Sequence, residues 1–202
     1  MQTGEVILND RETLKLISKQ KSHQFEIWYV YLYQDNYLYS CSDDFSFKCF
    51  DLRDDPISQR YSCKKHDAGV TWITKEEEFQ VMTGSYDGTI RIWDERNMKY
   101  EVASLNTEGK SVWDIKFNKK AHKSNVSFGV ASIYDGYLFA EHQDQKSIYT
   151  GYSQDNFSLD QFSLKEYKGH ESICYAFEFI PDSDLILTSS FYDSTLHLIQ
   201  CQ

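Results

Sequence analysis

From Tyr39 to Asp44 and again from Phe45 to Phe50 apolar residues alternate with small or polar ones. A period of two is the signature of half-buried β-strands, because successive side chains point to opposite faces. The apolar runs are short and are cut by Ser-Asp-Asp (Ser42 to Asp44) or by Asp-Gly (Asp87-Gly88 and Asp135-Gly136). Asp-Gly supplies the positive φ that a tight hairpin needs, so each pair of runs predicts two antiparallel strands joined by a turn.

These hairpins recur. One copy runs from His23 through Asp44 to Asp51, and a second from His66 through Asp87 to Asp94. In both, 21 residues separate the histidine from the turn aspartate and 7 more reach the closing aspartate; the copies are 43 residues apart. A third, looser copy has Ser111-Val112-Trp113-Asp114 and Ile133-Tyr134-Asp135-Gly136, and a fourth has Gly169-His170 and Phe191-Tyr192-Asp193. Four short strands per repeat of about 43 residues is the blade of a β-propeller. The expected organisation is a half-blade over 1–20 and blades over 21–64, 65–107, 108–166 (with an insertion within 143–166) and 167–202. That makes an all-β chain of about four and a half blades, read as part of a seven-bladed ring that lacks two to three N-terminal blades.

Gly169-His170 and Trp93-Asp94 resemble the WD-repeat signature. That resemblance implies that His23, His66 and His170, with the turn acids Asp44, Asp87, Asp135 and Asp193 and with Trp93, form buried hydrogen-bonded units tying each blade together. Burying a carboxylate is costly unless donors surround it, so the unit makes sense as structure. Phe50 and Ile199 stand where a tryptophan is expected, Glu141 falls at that place in the third copy, and Lys110 replaces its histidine.

Composition narrows the function. The 202 residues hold 21 Lys and Arg against 31 Asp and Glu, a net charge of −10, which argues against wrapping a phosphate backbone. No apolar run reaches the ~20 residues of a membrane-spanning helix. The start of the chain lacks a basic-then-apolar leader, so a cytoplasmic location is expected. The five cysteines, Cys41, Cys49, Cys63, Cys174 and Cys201, are scattered and odd in number, as in reduced thiols of that compartment. No Cys/His cluster has zinc-ligand spacing. Asn125 and Asn156 head N-x-S triplets, expected by chance.

The ordered segments His23-Gln24-Phe25-Glu26-Ile27-Trp28, Thr83-Gly84-Ser85-Tyr86-Asp87 and Ser190-Phe191-Tyr192-Asp193 resemble the diphthine methyl ester hydrolase family, the WD-repeat proteins of diphthamide synthesis. The resemblance implies a carboxylic ester hydrolase that removes the methyl ester from methylated diphthine, a modified histidine of elongation factor 2, without a metal or organic cofactor. Such a substrate carries a trimethylammonium head, a group held well by aromatic faces and a carboxylate. In WD propellers the residue before the turn aspartate resembles a position facing the mouth of the central channel. Asp43, Tyr86, Tyr134 and Tyr192, with Trp113, are therefore expected to form an acidic aromatic cage. Ester hydrolysis needs an activated water and donors for the oxyanion. There is no G-x-S-x-G elbow, which leaves Glu26 as candidate base, with His66 and His170 available only if their structural bonds release them. An alternative reading is an adaptor without activity: Asp51-Leu52-Arg53 and Asp94-Glu95-Arg96 resemble the D-x-R motif that docks WD-repeat receptors onto cullin-type ubiquitin ligases, through Arg53 and Arg96.

Overall fold

The computed structural model describes residues 4–54, 57–75, 78–118, 126–142 and 162–200. Residues 143–161 of the expected insertion (143–166), the asparagines of both N-x-S triplets and Cys201 lie outside these, and 162–166 belong to a strand. Every described element is a strand. A hairpin of β1 (Glu5–Asn9) and β2 (Leu16–Lys21) is followed by a four-stranded sheet of β3 (Ile27–Tyr33), β4 (Tyr37–Ser42), β5 (Phe47–Asp51) and β6 (Ser58–Cys63). Next come β7 (Val70–Thr74), β8 (Gln80–Ser85), β9 (Thr89–Asp94) and β10 (Asn97–Asn106), a second such sheet. The third holds β11 (Asp114–Phe117), β12 (Val126–Ser132), β13 (Gly136–His142) and β14 (Phe162–Tyr167). The last has three strands, β15 (Cys174–Phe179), β16 (Leu185–Ser190) and β17 (Leu196–Gln200). Each sheet follows chain order, as hairpin connections demand.

The chain forms two compact units, one of residues 1–87 and 92–101, the other of 88–91 and 102–202. In the first, β7 packs on β3 and β4. Its core joins Tyr39, Phe47, Val70, Ile73 and Trp93 with the buried thiols of Cys41, Cys49 and Cys63. In the second, β15 packs on β11 and β12, around Ala131, Tyr137, Phe139, Phe177 and Ile186. Tyr137 reaches across, its hydroxyl donating to the carbonyls of Ala176 (2.8 Å) and Ser189 (2.5 Å). Among the described residues four cysteines, none of them in a disulfide, are buried. Burial pushes the Cys41 and Cys174 thiols up, which keeps them protonated and inert.

Candidate functional site: the turn ends of the sheets

The histidine units come first because they decide what is left for chemistry. In the second sheet Trp93 Nε1–H donates to Thr83 Oγ1 (2.8 Å), which leaves the threonine hydroxyl to donate to His66 Nε2 (2.8 Å). The imidazole then carries its proton on Nδ1, facing Asp87 Oδ2 at 2.8 Å, and that carboxylate also accepts from the Asp67 amide (3.1 Å). A carboxylate can only accept, so the tautomer follows from the chain of donors. The first sheet repeats the arrangement with His23, Ser40 and Asp44, and Ser46 Oγ adds a 2.5 Å bond to the carboxylate. Phe50 stands for the tryptophan and is buried. Desolvation holds His23 below its ordinary pKa despite the attraction of Asp44. Burial pushes Asp44 up, but the donors Ser46, Gln24 and His23 outweigh it and hold the carboxyl below its usual range. In the last sheet His170 bonds Thr188 (2.9 Å) and Asp193 (3.1 Å), and the ring of His197 stacks on it at 4.0 Å. Both ring nitrogens of His66 and of His170 are thus engaged in the scaffold. The release on which their role as base depended is not found in this structure.

The third sheet departs from the expected register. Its ladder pairs Ser132 with Gly136, as the Ser42 amide bonds the Ser46 carbonyl in the first sheet. That gives Ile133 the ladder place that Asp43 has in the first sheet and Tyr134 the place of the turn aspartate Asp44, while Asp135 falls one position later and holds no histidine among the described residues. Ala140, fully buried, takes the tryptophan's place, and Glu141 pairs with Lys165 at 2.7 Å. The last sheet shifts too. Its turn is one residue longer, closed by the Ser190 amide on the Thr195 carbonyl. The Phe191 amide donates to the Ile173 carbonyl just as the Asp43 and Tyr86 amides donate to Glu26 and Gly69. The strand-end position there is Phe191, and Tyr192 is the extra residue.

Of the expected cage, Asp43 and Tyr86 belong to the first unit and Trp113, Tyr134 and Tyr192 to the second. In the first unit Asp43 and Tyr86 do come together, joined by Trp28. The indole Nε1–H lies 3.4 Å from Asp43 Oδ1, and the ring meets Tyr86 edge-on at 6.4 Å and 88°. In the second unit Trp113 packs on Tyr175 (5.5 Å), Tyr175 on Phe191 (6.2 Å) and Phe191 on Tyr192 (4.9 Å), an exposed aromatic run. Tyr134, 81% exposed, stands apart from that run. It borders a cleft of about 480 Å³ with Lys168, Glu171 and Ser172.

Trp28 and Tyr175 were missed because each sits in a β-bulge, where the first strand slips register against the second. Thr71 occupies the same bulge in the second sheet. A bulge turns an extra side chain out of the pleat, and the sequence signal is the loss of alternation at Ile27-Trp28-Tyr29.

Among the acids, Glu26 is half-buried, and its side chain has no ion-pair partner among the described residues. Asp114, next to Trp113 at the start of β11, is pushed up to about 6 by burial. A carboxyl tuned toward neutrality suits proton transfer. Arg53 closes on its own Asp51 through Nε (2.8 Å) and Nη2 (2.5 Å), holding that carboxyl down at about 2. Arg96 does the same with Asp94 (2.9 and 2.6 Å) and covers the Phe79 ring. No group of metal-ligating side chains occurs among the described residues.

The family model described as WD domain, G-beta repeat matches residues 57–94 and 161–200. Each match begins on the outer strand of one sheet (β6 or β14) and runs through three strands of the next. "Diphthine methyltransferase" of Schizosaccharomyces pombe is 28% identical over 98% of this chain and 58% of its own length. The human protein of that name is 34% identical over 55% of this chain and 25% of its own. The chain thus spans little more than half the length of the first relative and a quarter of the second. A chain in the "Crystal Structure of Mitotic Checkpoint Complex" superposes with a TM-score of 0.69 at 15% identity, covering 98% of this chain and 56% of that one, which speaks for the fold alone. Sheets, repeats and relatives agree on an all-β chain with WD repeats that is similar over nearly all of its length to a protein named diphthine methyltransferase.

Proposed function

We propose that this chain forms part of an enzyme that hydrolyses the methyl ester of methylated diphthine on elongation factor 2. The observation that carries this reading is similarity over 98% of the chain to a protein named for diphthine. The relatives' name speaks of methyl transfer; the hydrolytic direction comes from the family resemblance of the H-x-F-E-x-W, T-G-S-Y-D and S-F-Y-D segments. Water adds to the ester carbonyl, the bond from that carbon to the methoxy oxygen breaks, and methanol leaves with the proton taken from water. That step asks for a carboxylate to accept the proton and donors to hold the oxyanion. With both histidines engaged in the scaffold, Glu26 and Asp114 are the groups assigned to compete for the role of base. Docking to a ubiquitin-ligase adaptor would have to draw Arg53 and Arg96 from carboxylates that already hold them in two-pronged pairs.

The test incubates the purified chain with elongation factor 2 bearing methylated diphthine and follows methanol and the mass of the modified peptide. Stoichiometric methanol with loss of one methylene supports hydrolysis. A gain in mass that requires S-adenosylmethionine would overturn it in favour of methyl transfer. Glu26→Gln and Asp114→Asn then identify the base: one variant loses at least ~100-fold in turnover, as expected for a lost general base, and the other keeps it.

A further inference from the structure

We infer that Trp28, Asp43 and Tyr86 form a binding corner for a quaternary ammonium group, floored by Gly69. The inference rests on the esterase reading only for the identity of the natural ligand; the corner itself is argued from its geometry. The Trp28 and Tyr86 rings stand at 88° with centroids 6.4 Å apart, so two aromatic walls meet at a right angle. The third wall is the Asp43 carboxylate. The carboxylates of the turn aspartates are already engaged: Asp44 and Asp87 each accept from the Nδ1–H of a histidine. Among the described residues the side-chain partner of Asp43 is the indole N–H of Trp28, not a cation.

The floor is specific. A Cβ added at Gly69 would lie 2.3 Å from Asp43 Oδ1 and 3.2 Å from Tyr86 Cδ2, so the carboxylate rests directly on the glycine. The equivalent residues on the first and last sheets are Glu26 and Ile173, identified by the same strand-end amide bond. Glycine is therefore not a requirement of the repeat, and here it makes room for the carboxylate. The backbone holds the walls: the Asp43 and Tyr86 amides bond the carbonyls of Glu26 (3.0 Å) and Gly69 (2.9 Å). Trp28 projects from its bulge and is 39% exposed, so the corner opens to solvent.

Aromatic faces attract a diffuse cation without needing a hydrogen bond, and a carboxylate alongside supplies net charge. A compact ammonium loses its hydration in such a corner and finds one acceptor in return; a methylated ammonium gives up no N–H bonds. The corner should therefore prefer tetramethylammonium to ammonium.

The test uses the full chain, tetramethylammonium chloride as probe and ammonium chloride as control at matched ionic strength, with the Trp28 indole N–H resonance as readout, assigned by its loss in Trp28→Phe. Saturable shifts with tetramethylammonium and weaker ones with ammonium support the corner. Tyr86→Leu should weaken binding about fivefold, one cation–π contact of ~1 kcal/mol at 1.4 kcal/mol per decade. Asp43→Asn, which keeps the shape, and Gly69→Ala, which displaces the carboxylate, should each do at least as much. Equal affinity for both cations, or unchanged affinity in Asp43→Asn and Gly69→Ala with native dispersion of the spectra, would overturn it. Probe binding without ester cleavage keeps the corner and removes the esterase reading. Ester cleavage without saturable probe binding does the reverse.

Discussion

In the second sheet the turn residue Asp87 is buried against His66, and the bond network runs on through Thr83 to Trp93. In the third sheet the matching ladder position is Tyr134, 81% exposed, and the tryptophan's place is Ala140. That sheet is tied by aromatic packing instead: Tyr137 stacks on Phe139, meets Phe177 and hydrogen-bonds two carbonyls of the neighbouring sheet. A buried carboxylate needs a full set of donors. Where the histidine gives way to Lys110, which pairs with Glu108 at 3.1 Å, the aspartate loses its reason to sit in the turn. One blade is therefore specified by a polar network and the other by shape, and only the network fixes the turn residue.

The largest test of this contrast is Asp87→Ala, which orphans His66 and the Asp67 amide. It should cost ~2–3 kcal/mol by urea unfolding, as leaving buried donors without an acceptor does. A cost below that of Tyr137→Phe would mean that packing, not the network, holds the second sheet as well.

Asp114 comes next and gives a pH signature. Its folded pKa of about 6 lies above the ordinary 3.8 of an aspartate, so the folded state holds the proton more tightly than the unfolded chain. Any stability it contributes is present below pH ~4 and is lost as pH rises through 6. Asp114→Asn should thus raise stability at pH 8 by about 1–2 kcal/mol, after discounting for solvent screening, and leave it unchanged at pH 3.5. Melting curves at the two pH values check this. His23 and Asp44 act with the opposite sign. Both are held below their ordinary values, so the first sheet weakens as pH falls, first below the unfolded histidine value of 6.5 and then below 3.8.

Tyr137→Phe removes one donor shared by two carbonyls while keeping the ring. About 1 kcal/mol is expected, read from the urea midpoint. Smallest is Asp135→Ala, the acid that the repeat spacing marks as a counterpart of Asp87. It bonds no histidine, so the change should stay within about 0.5 kcal/mol. A loss comparable to that of Asp87→Ala would restore the spacing-based register.

The legible part of this fold was the part built on fixed polar spacings. His23 to Asp44 and His66 to Asp87 share a 21-residue interval because both repeats close the same bond network over turns of equal length. Three errors share one cause, since loop length and bulges are set by backbone geometry that residue identity does not reveal. Tyr192-Asp193 reads like Tyr86-Asp87, yet the longer turn makes Phe191 the strand-end residue. Asp135-Gly136 reads like Asp87-Gly88, yet Gly136 already pairs in the ladder. Trp28 reads as an ordinary strand residue, and only the bulge carries its ring to Asp43 and Tyr86. Asp43 and Tyr86 hold equivalent strand-end places because the first two repeats keep equal turns. His66 and His170, expected as scaffold and as bases only on release, are engaged through both ring nitrogens.

That separation of scaffold from site is the central claim, and nitrogen-15 imidazole spectra of the unaltered chain test it most directly. His23, His66 and His170 should each show a single fixed tautomer, protonated at Nδ1 toward Asp44, Asp87 and Asp193 and unprotonated at Nε2 toward Ser40, Thr83 and Thr188, with slowly exchanging Nδ1 protons. Averaged nitrogen shifts and rapid proton exchange at His66 or His170 would contradict it and return a histidine to the list of bases.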